Sequence, residues 1–514
     1  MITSITVPVP DAHKVEITQS SYPFSTMRYA REPLDLAKFG YLEEEYFISG
    51  YANVYGFSKN PGTASDLEVV EGQVPYTTRI LVRRPADSDS ETAWVTVLNA
   101  SQGYDIEDDW RRAWNYFISR RLTYVAVTAK PIQVSALQTF DPERYSDLSW
   151  GGNVEQLDAN TSDWNPFMKL SANEEGLAWD ILAQVSAWLR SCSAPIAPRN
   201  VFLIGQSQSS VYVNTYLTFF HNLLKLEGGR NTYDGYAPGV GSVYVKEINQ
   251  RGTGVPEVIG GSSEILAPGS DEIQTAFVPY LVEPVQLDVP VVSTSSEADV
   301  QLYGGAPSEF NIGDGPMRRH WHVLRAPHSD ARSRVIPDNS QVLLAKRRAR
   351  VLDENLLASL SVMPLEPIIT ASMTAVEKWA IENKPAAASK YFNADGNAWI
   401  TDKVGLKQGG IVVGIVANPI ADFTPGAQTN PVYGLMALHS RDSVLERFAT
   451  FDEYQAACDV VDDELEAAGY LEPVGRHFLH NVERELWNRI VNGAEPPLSS
   501  PQEVIGLRGS VDWM

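Results

Sequence analysis

Apolar runs of two lengths alternate along the first half of the chain. "YTTRILVRRP" and "AWVTVLNA" read as two strands, a glycine turn follows, and "DDWRRAWNYFISRR" has helical spacing. The strand "LTYVAVTA" comes next, then a polar and aromatic stretch from Pro131 to about Asn173. "EEGLAWDILAQVSAWLRS" reads as an amphipathic helix. In "NVFLIGQSQSSVYVNTYLTFF", Val201 to Ile204 suit a short strand buried on both faces. From Val211 to Leu224 the apolar residues lie almost all round a helical wheel. Alternation of strand and helix up to Ser207 predicts a mostly parallel sheet with helices on both faces.

Beyond that point "TYDGYAPG", "LDVPVVSTSS" and "RHWHVLRA" resume the strand pattern. The C-terminal third predicts helices over "TASMTAVEKWAIENK", "FDEYQAACDVVDDELEAAG" and "GRHFLHNVERELWNRIVNG". One elaborated domain follows from this: an irregular or strand-rich extension over 1–65, a core over 66–385 and a helical extension over 386–514. The stretches 131–173 and 239–284 are too long for ordinary connections and are expected to form lids. No internal repeat or low-complexity tract interrupts the pattern.

Composition narrows the function. With 514 residues, 44% hydrophobic and 10% aromatic, the chain can bury a sizeable core. A formal net charge of −23 argues against nucleic acids and anionic membrane surfaces as partners. The start "MITSITVPVP" has no basic leader, and no run of 18 apolar residues occurs, so a soluble cytoplasmic protein is expected. Two cysteines far apart, Cys192 and Cys458, fit a reduced chain. Homo-oligomerisation stays open.

The candidate chemistry lies between strand and helix at Gly205-Gln206-Ser207-Gln208-Ser209. A serine held on a tight turn there has the geometry of a nucleophile elbow, usually Gly-x-Ser-x-Gly, with Ser209 replacing the last glycine. A second Gly-x-Ser, at Ser262, precedes "SEILAPGS", where Pro268 breaks any helix. In an α/β-hydrolase fold the acid and then the base follow the serine in chain order, each after a strand. "PVVSTSSEAD" supplies Glu297 and Asp299, of which Asp299 is preferred and Glu297 is the alternative acid. His328, on the loop after "RHWHVLRA", is the expected base. The oxyanion-hole donors are expected from Gln208 and from the Ala100–Gly103 loop, with Ser101 the first choice. His320 and His322 share a strand face but lack a third ligand with suitable spacing, so neither metal nor cofactor is expected.

"GYLEEEYFISGYANVY", "YTTRILVRRP", "VLNASQGYD", "DPERYSDLSW", "AWDILAQV", "GQSQSS", "YDGY" and "SSEADV" occur in this order. In this the chain resembles the α/β-hydrolase domain-containing proteins with a Ser-Gln-Ser elbow, over roughly residues 40–330. The resemblance implies a serine hydrolase acting on carboxylic esters. It matches Ser207 to the nucleophile, Glu297 and Asp299 to the acidic pair, and His328 to the base. Pro327, where relatives often carry a small residue, and the missing signal peptide are departures. The expected function is hydrolysis of an ester or lactone of a small apolar molecule through an acyl-enzyme. Acyl transfer on the same triad and non-catalytic ligand binding are the alternatives.

Overall fold

The computed structural model describes residues 4–30, 33–59, 62–87, 90–162, 164–241, 244–250, 278–279, 287–302, 306–331, 338–349, 359–426 and 432–494. Most of the 239–284 stretch, and Ser262 within it, lies outside the described residues. The chain forms two compact units. One comprises Met1–Trp110, Arg120–Gln286 and Ile336–Ala349, and the other Arg111–Ser119, Leu287–Val335 and Arg350–Met514.

The first unit is built on a mixed sheet of Asp11–Val15 (β1), Tyr41–Phe57 (β2), Leu67–Pro85 (β3), Thr92–Val97 (β4), Thr123–Val127 (β5), Asn200–Gln206 (β6) and Tyr236–Gly239 (β7). Their spatial order is β7-β6-β4-β5-β3-β2-β1. The strands β5, β4, β6 and β7 run parallel to one another, and β4 and β6 are buried over almost their whole length, as their unbroken apolar runs require. The strand β3 is antiparallel to both β5 and β2. The strands β1 and β2 both fall within 1–65.

Alternation explains why β2 and β3 hold together. Arg79 and Arg83 point to one side of β3, while Ile80 and Val82 point to the other. The two arginines are buried against carboxylates: Arg79 pairs with Glu45 (2.7 Å) and Asp105 (3.1 Å), and Arg83 with Glu43 (2.9 Å) and Glu107. Each also donates to a main-chain carbonyl, of Phe24 or Ser25, which ties the N-terminal segment to the sheet. Removing one partner from such a buried network costs far more than the network contributes, because a desolvated charge is left behind.

The helices are Asp108–Ser119 (α1), whose first turn belongs to this unit, Pro131–Phe140 (α2), Ala178–Leu189 (α3) and Gln208–Thr215 (α4). Three differ from expectation. The helix α3 is buried on every side rather than amphipathic. Its polar residues are satisfied by β2 and its surroundings: Asp180 accepts from Asn53 N–H (2.8 Å) and Tyr55 Oη (2.6 Å), and Gln184 accepts from Tyr76 Oη (2.7 Å). The helix α2 opens the 131–173 stretch and shows no apolar stripe because it too is buried, with Pro131 in its first turn where a missing N–H costs nothing. The run expected to be helical over 211–224 begins at Gln208, widens into a π turn over Tyr216–Phe220 and ends at His221.

The second unit contains a parallel pair, Val291–Ser296 (β8) and Arg318–Val323 (β9), in register from Val291↔Arg318 to Ser296↔Val323. The free side of β9 is covered by main chain at Lys390 and Ile411, through His322 N–H to Lys390 O (2.8 Å) and Ile411 N–H to His322 O (2.7 Å). Its helices include Glu297–Leu302 (α5) and Glu366–Glu382 (α6), both against β8, and Phe451–Ala468 (α7) and Pro473–Val491 (α8), of which α8 packs on α6. Thr450 caps α7 by accepting from Glu453 N–H (3.2 Å), and Gly469 ends it in the left-handed region at φ 85°. Both cysteines are free thiols, Cys192 exposed and Cys458 buried. Among the described residues no helix is long and apolar enough to cross a membrane.

Candidate active site

Ser207 stands between β6 and α4 with φ 57° and ψ −126°. A residue with a side chain seldom adopts this conformation, which costs of order 1–3 kcal/mol and persists only where its surroundings enforce it. The enforcement is visible. Ser207 N–H donates to Gly239 O at the end of β7 (3.0 Å), and Ser207 O accepts from Val211 N–H (3.3 Å). A Cβ on Gly205 would lie 2.7 Å from the main chain of Ser209, so strand and helix approach too closely for any side chain there. A Cβ on Gly241 would lie 2.3 Å from Ser207 O and 2.5 Å from Ser210 Cβ. The second close approach is thus made by Gly241 on the loop after β7, toward Ser207 and Ser210, while the room for Ser209 is left by Gly205.

Gln208 is the first residue of α4, so its N–H has no acceptor within the helix. Its side chain reaches the neighbouring loops: Oε1 accepts from Ala100 N–H (3.1 Å) and from Lys130 Nζ. The N–H of Ser101, expected in the oxyanion hole, donates instead to Asn99 Oδ1 (2.8 Å). Asn99 also donates to Gln206 O (3.3 Å) and to Asp108 Oδ2 (3.0 Å). Gln133 joins the same scaffold, donating to Leu98 O (2.9 Å) and accepting from Ala129 N–H (3.1 Å). Trp164, within 131–173, lies against Gly103, where a Cβ would stand 2.6 Å from the indole. Sequence reading missed Asn99, Lys130 and Gln133; a lone polar residue just past an apolar strand was the available signal.

In the second unit the strand ends of β8 and β9 bring Asp299 and His328 together. His328 Nδ1 lies 2.7 Å from Asp299 Oδ1. Asp299 is fully buried in the first turn of α5, and its Oδ2 accepts from Ser296 N–H (2.7 Å). Its own N–H returns to Ser296 Oγ (3.2 Å), so the carboxylate is held from both ends. The main chain turns sharply after β9, with Arg325 at φ 62°. Pro327 then packs on Gly434, where a Cβ would lie 2.6 Å from Pro327 Cβ. Ser329 N–H donates to Val432 O (2.8 Å), and Arg112 Nη2 to His328 O (3.1 Å). Pro327 therefore has a packing partner that fixes the loop.

Glu297 goes elsewhere. It accepts from Arg325 N–H (2.9 Å) and Lys407 N–H (2.5 Å), and the Arg325 guanidinium lies 3.3 Å away. Burial pushes its carboxyl above the ordinary range, against these hydrogen bonds. It braces the chain after β9 against residue 407. The same-face pair His320 and His322 is buried, with ring centroids 4.6 Å apart. His320 is engaged at both nitrogens, by Ser295 Oγ (2.8 Å) and Phe310 O (3.1 Å), and His322 Nδ1 accepts from Phe392 N–H (3.2 Å). Burial holds His320 down at about 4 and His322 well below the ordinary value, so both are neutral core groups at neutral pH.

Comparison with known proteins adds the family. Among curated proteins no relative matches. Among solved structures the chain is similar to acetyl xylan esterase 1 from Thermoanaerobacterium sp. (14% identity, 45% of this chain and 52% of that one, TM-score 0.21). It is also similar to a CE15 glucuronoyl esterase from Teredinibacter turnerae (10%, 48% and 47%, TM-score 0.22) and to lipase A of Candida antarctica in its closed state (10%, 46% and 43%, TM-score 0.22). The chain spans about half the length of each. The family model described as "Alpha/beta hydrolase domain" matches residues 5–479, taking in the Ser207 turn, the Asp299–His328 pair and the strands that carry them. By that match the chain belongs to the alpha/beta hydrolase domain family, and its fold is the α/β-hydrolase fold.

Proposed function

We propose that this protein is a serine hydrolase that cleaves a carboxylic ester or lactone of a small molecule through an acyl-enzyme on Ser207. The observation that carries the reading is the backbone of Ser207, held at φ 57° where a serine of merely structural use gains nothing. The Asp299–His328 pair at 2.7 Å supports it, since a serine needs a base and the base needs an orienting acid. In this mechanism His328 Nε2 takes the Ser207 proton while Oγ forms its bond to the substrate carbonyl carbon. Asp299 keeps the Nδ1 proton in place and stabilises the imidazolium. The imidazolium returns the proton to the departing alkoxide, and water, activated by the same imidazole, then releases the acid. The Gln208 N–H and a donor from the Ala100–Gly103 loop hold the oxyanion. Ala100 N–H, now on Gln208 Oε1, and Ser101 N–H, now on Asn99 Oδ1, are both candidates, and either exchanges its present acceptor for the oxyanion.

The packing of Trp164 against Gly103 supports a lid role for 131–173. Free thiols at Cys192 and Cys458 support a reducing, cytoplasmic location. The test is a fluorophosphonate probe. One equivalent is expected to label the protein, and Ser207→Ala is expected to lose both labelling and hydrolysis of short-chain aryl esters. Labelling that survives in Ser207→Ala and disappears in Ser262→Ala moves the nucleophile and overturns the reading.

A further inference from the structure

Lys130 is a buried residue of the first unit whose chemistry folding does not explain. It closes the apolar run "LTYVAVTA" just after β5 and is only 2% exposed. Among the described residues it makes no ion pair. Its ammonium donates to Gln208 Oε1 and lies 4.3 Å from the centre of the Tyr212 ring. A carboxylate of this cluster, Glu175, is committed elsewhere: its Oε2 takes Lys246 Nζ (2.7 Å), and Lys246 also donates to Tyr212 Oη (2.6 Å). Burying an ammonium without a carboxylate is expensive, and an apolar side chain would complete the strand end at less cost.

What the ammonium does touch is informative. Gln208 Oε1 is shared by Lys130 Nζ and Ala100 N–H (3.1 Å). One oxygen therefore joins the loops after β4 and β5 to the elbow after β6. These loops follow the ends of neighbouring parallel strands, where ligands meet sheets of this kind.

We propose that Lys130 is a positioning residue of the oxyanion hole, holding the Gln208 side chain so that the Ala100 loop is fixed against the nucleophile elbow. The proposal rests on Ser207 being the nucleophile. A charged donor makes a stronger hydrogen bond than a neutral one, so the clamp is tight while Lys130 carries its proton. An oxyanion donor displaced by a fraction of an ångström loses much of its value, since such donors act by being in place before the reaction. The groups that face Lys130 are Lys246, Glu175, Asp105 and Tyr212. Burial first, and Lys246 second, hold its amine well below the ordinary lysine range. Deprotonation as pH rises weakens the clamp, so kcat falls on an alkaline limb lying below that range.

The experiment compares wild type with Lys130→Met, Lys130→Arg, Gln208→Met and the double variant on an activated aryl ester, alongside Ser207→Ala. The expected result is a fall in kcat of about 10- to 100-fold in Lys130→Met with KM within twofold. Lys130→Arg is expected to recover part of the loss, and the alkaline limb is expected to vanish in Lys130→Met. Gln208→Met should lose as much, and the double variant no more than either single one, because both remove the same link. Full kcat in Lys130→Met overturns the proposal, as does a rise in KM alone or strict additivity of the two losses. Should Lys130→Met fail to fold, Gln208→Met and the pH limb of wild type decide by the same criteria. If Ser207→Ala keeps its activity, the proposed function falls; if it is inactive while the Lys130 and Gln208 variants keep full kcat, only this inference does.

Discussion

Replacing Asp299 by Asn exchanges one oxygen for an amide nitrogen with almost no change of shape, and the structure dictates which oxygen survives. Asp299 Oδ2 accepts from the Ser296 N–H at 2.7 Å, a main-chain donor that cannot turn away. The asparagine must therefore place its carbonyl there and its NH2 against His328 Nδ1, 2.7 Å from the present Oδ1. Two donors cannot face each other, so the imidazole turns its Nδ1 lone pair toward the amide and moves its proton to Nε2. In the proposed mechanism Nε2 then has no lone pair with which to receive the Ser207 proton. The wrong tautomer in a serine triad lowers kcat by about 10⁴-fold, or roughly 5 kcal/mol at 1.36 kcal/mol per decade. Glu297→Gln is the internal control. Glu297 accepts from the Arg325 and Lys407 N–H groups and makes no hydrogen bond with His328. Its loss is expected to cost about 1–3 kcal/mol of stability but less than tenfold in kcat. The assay is steady-state hydrolysis of a short-chain aryl ester near pH 8, with chemical denaturation of each variant alongside. A large kcat loss in Glu297→Gln with a mild Asp299→Asn would refute the assignment of the acid.

Two further outcomes are expected. Glu483 in α8 is buried near Asp462 and Asp459, and burial first, then Asp462, pushes it up from 4.5 to about 8. A folded-state pKa above the unfolded one means that the folded protein holds the extra proton between those values, so its stabilising effect is complete below about pH 4.5 and lost as pH rises through about 8. Glu483→Gln should accordingly raise Tm more at pH 8.5 than at pH 5 in paired thermal melts, and equal shifts at both pH values would contradict the burial argument. Gly205→Ala puts a Cβ 2.7 Å from Ser209 main-chain atoms, which have no rotamer to escape into. A loss of about 1–3 kcal/mol by chemical denaturation, with slower fluorophosphonate labelling, is the expected result.

Periodicity and chain order carried much of this protein. Unbroken apolar runs marked β4, β5 and β6 because a strand covered on both faces has no wet side. The strand-turn-helix at Ser207, and the positions of Asp299 and His328 after later strands, were legible because each depends on a local pattern read in order. Burial of polar groups was not legible. Polar residues in α3 suggested a solvent face, whereas Asp180 and Gln184 meet partners on β2 and β3, more than a hundred positions away. Tertiary structure also separated Asp299 from Glu297, two carboxylates two positions apart. The first turn of α5 directs one to His328 and the other to the main chain at Lys407. It likewise supplied Gly241 as the close-approach glycine and committed Ser101 to Asn99, because distances across neighbouring strand ends are not written in the spacing along any one of them.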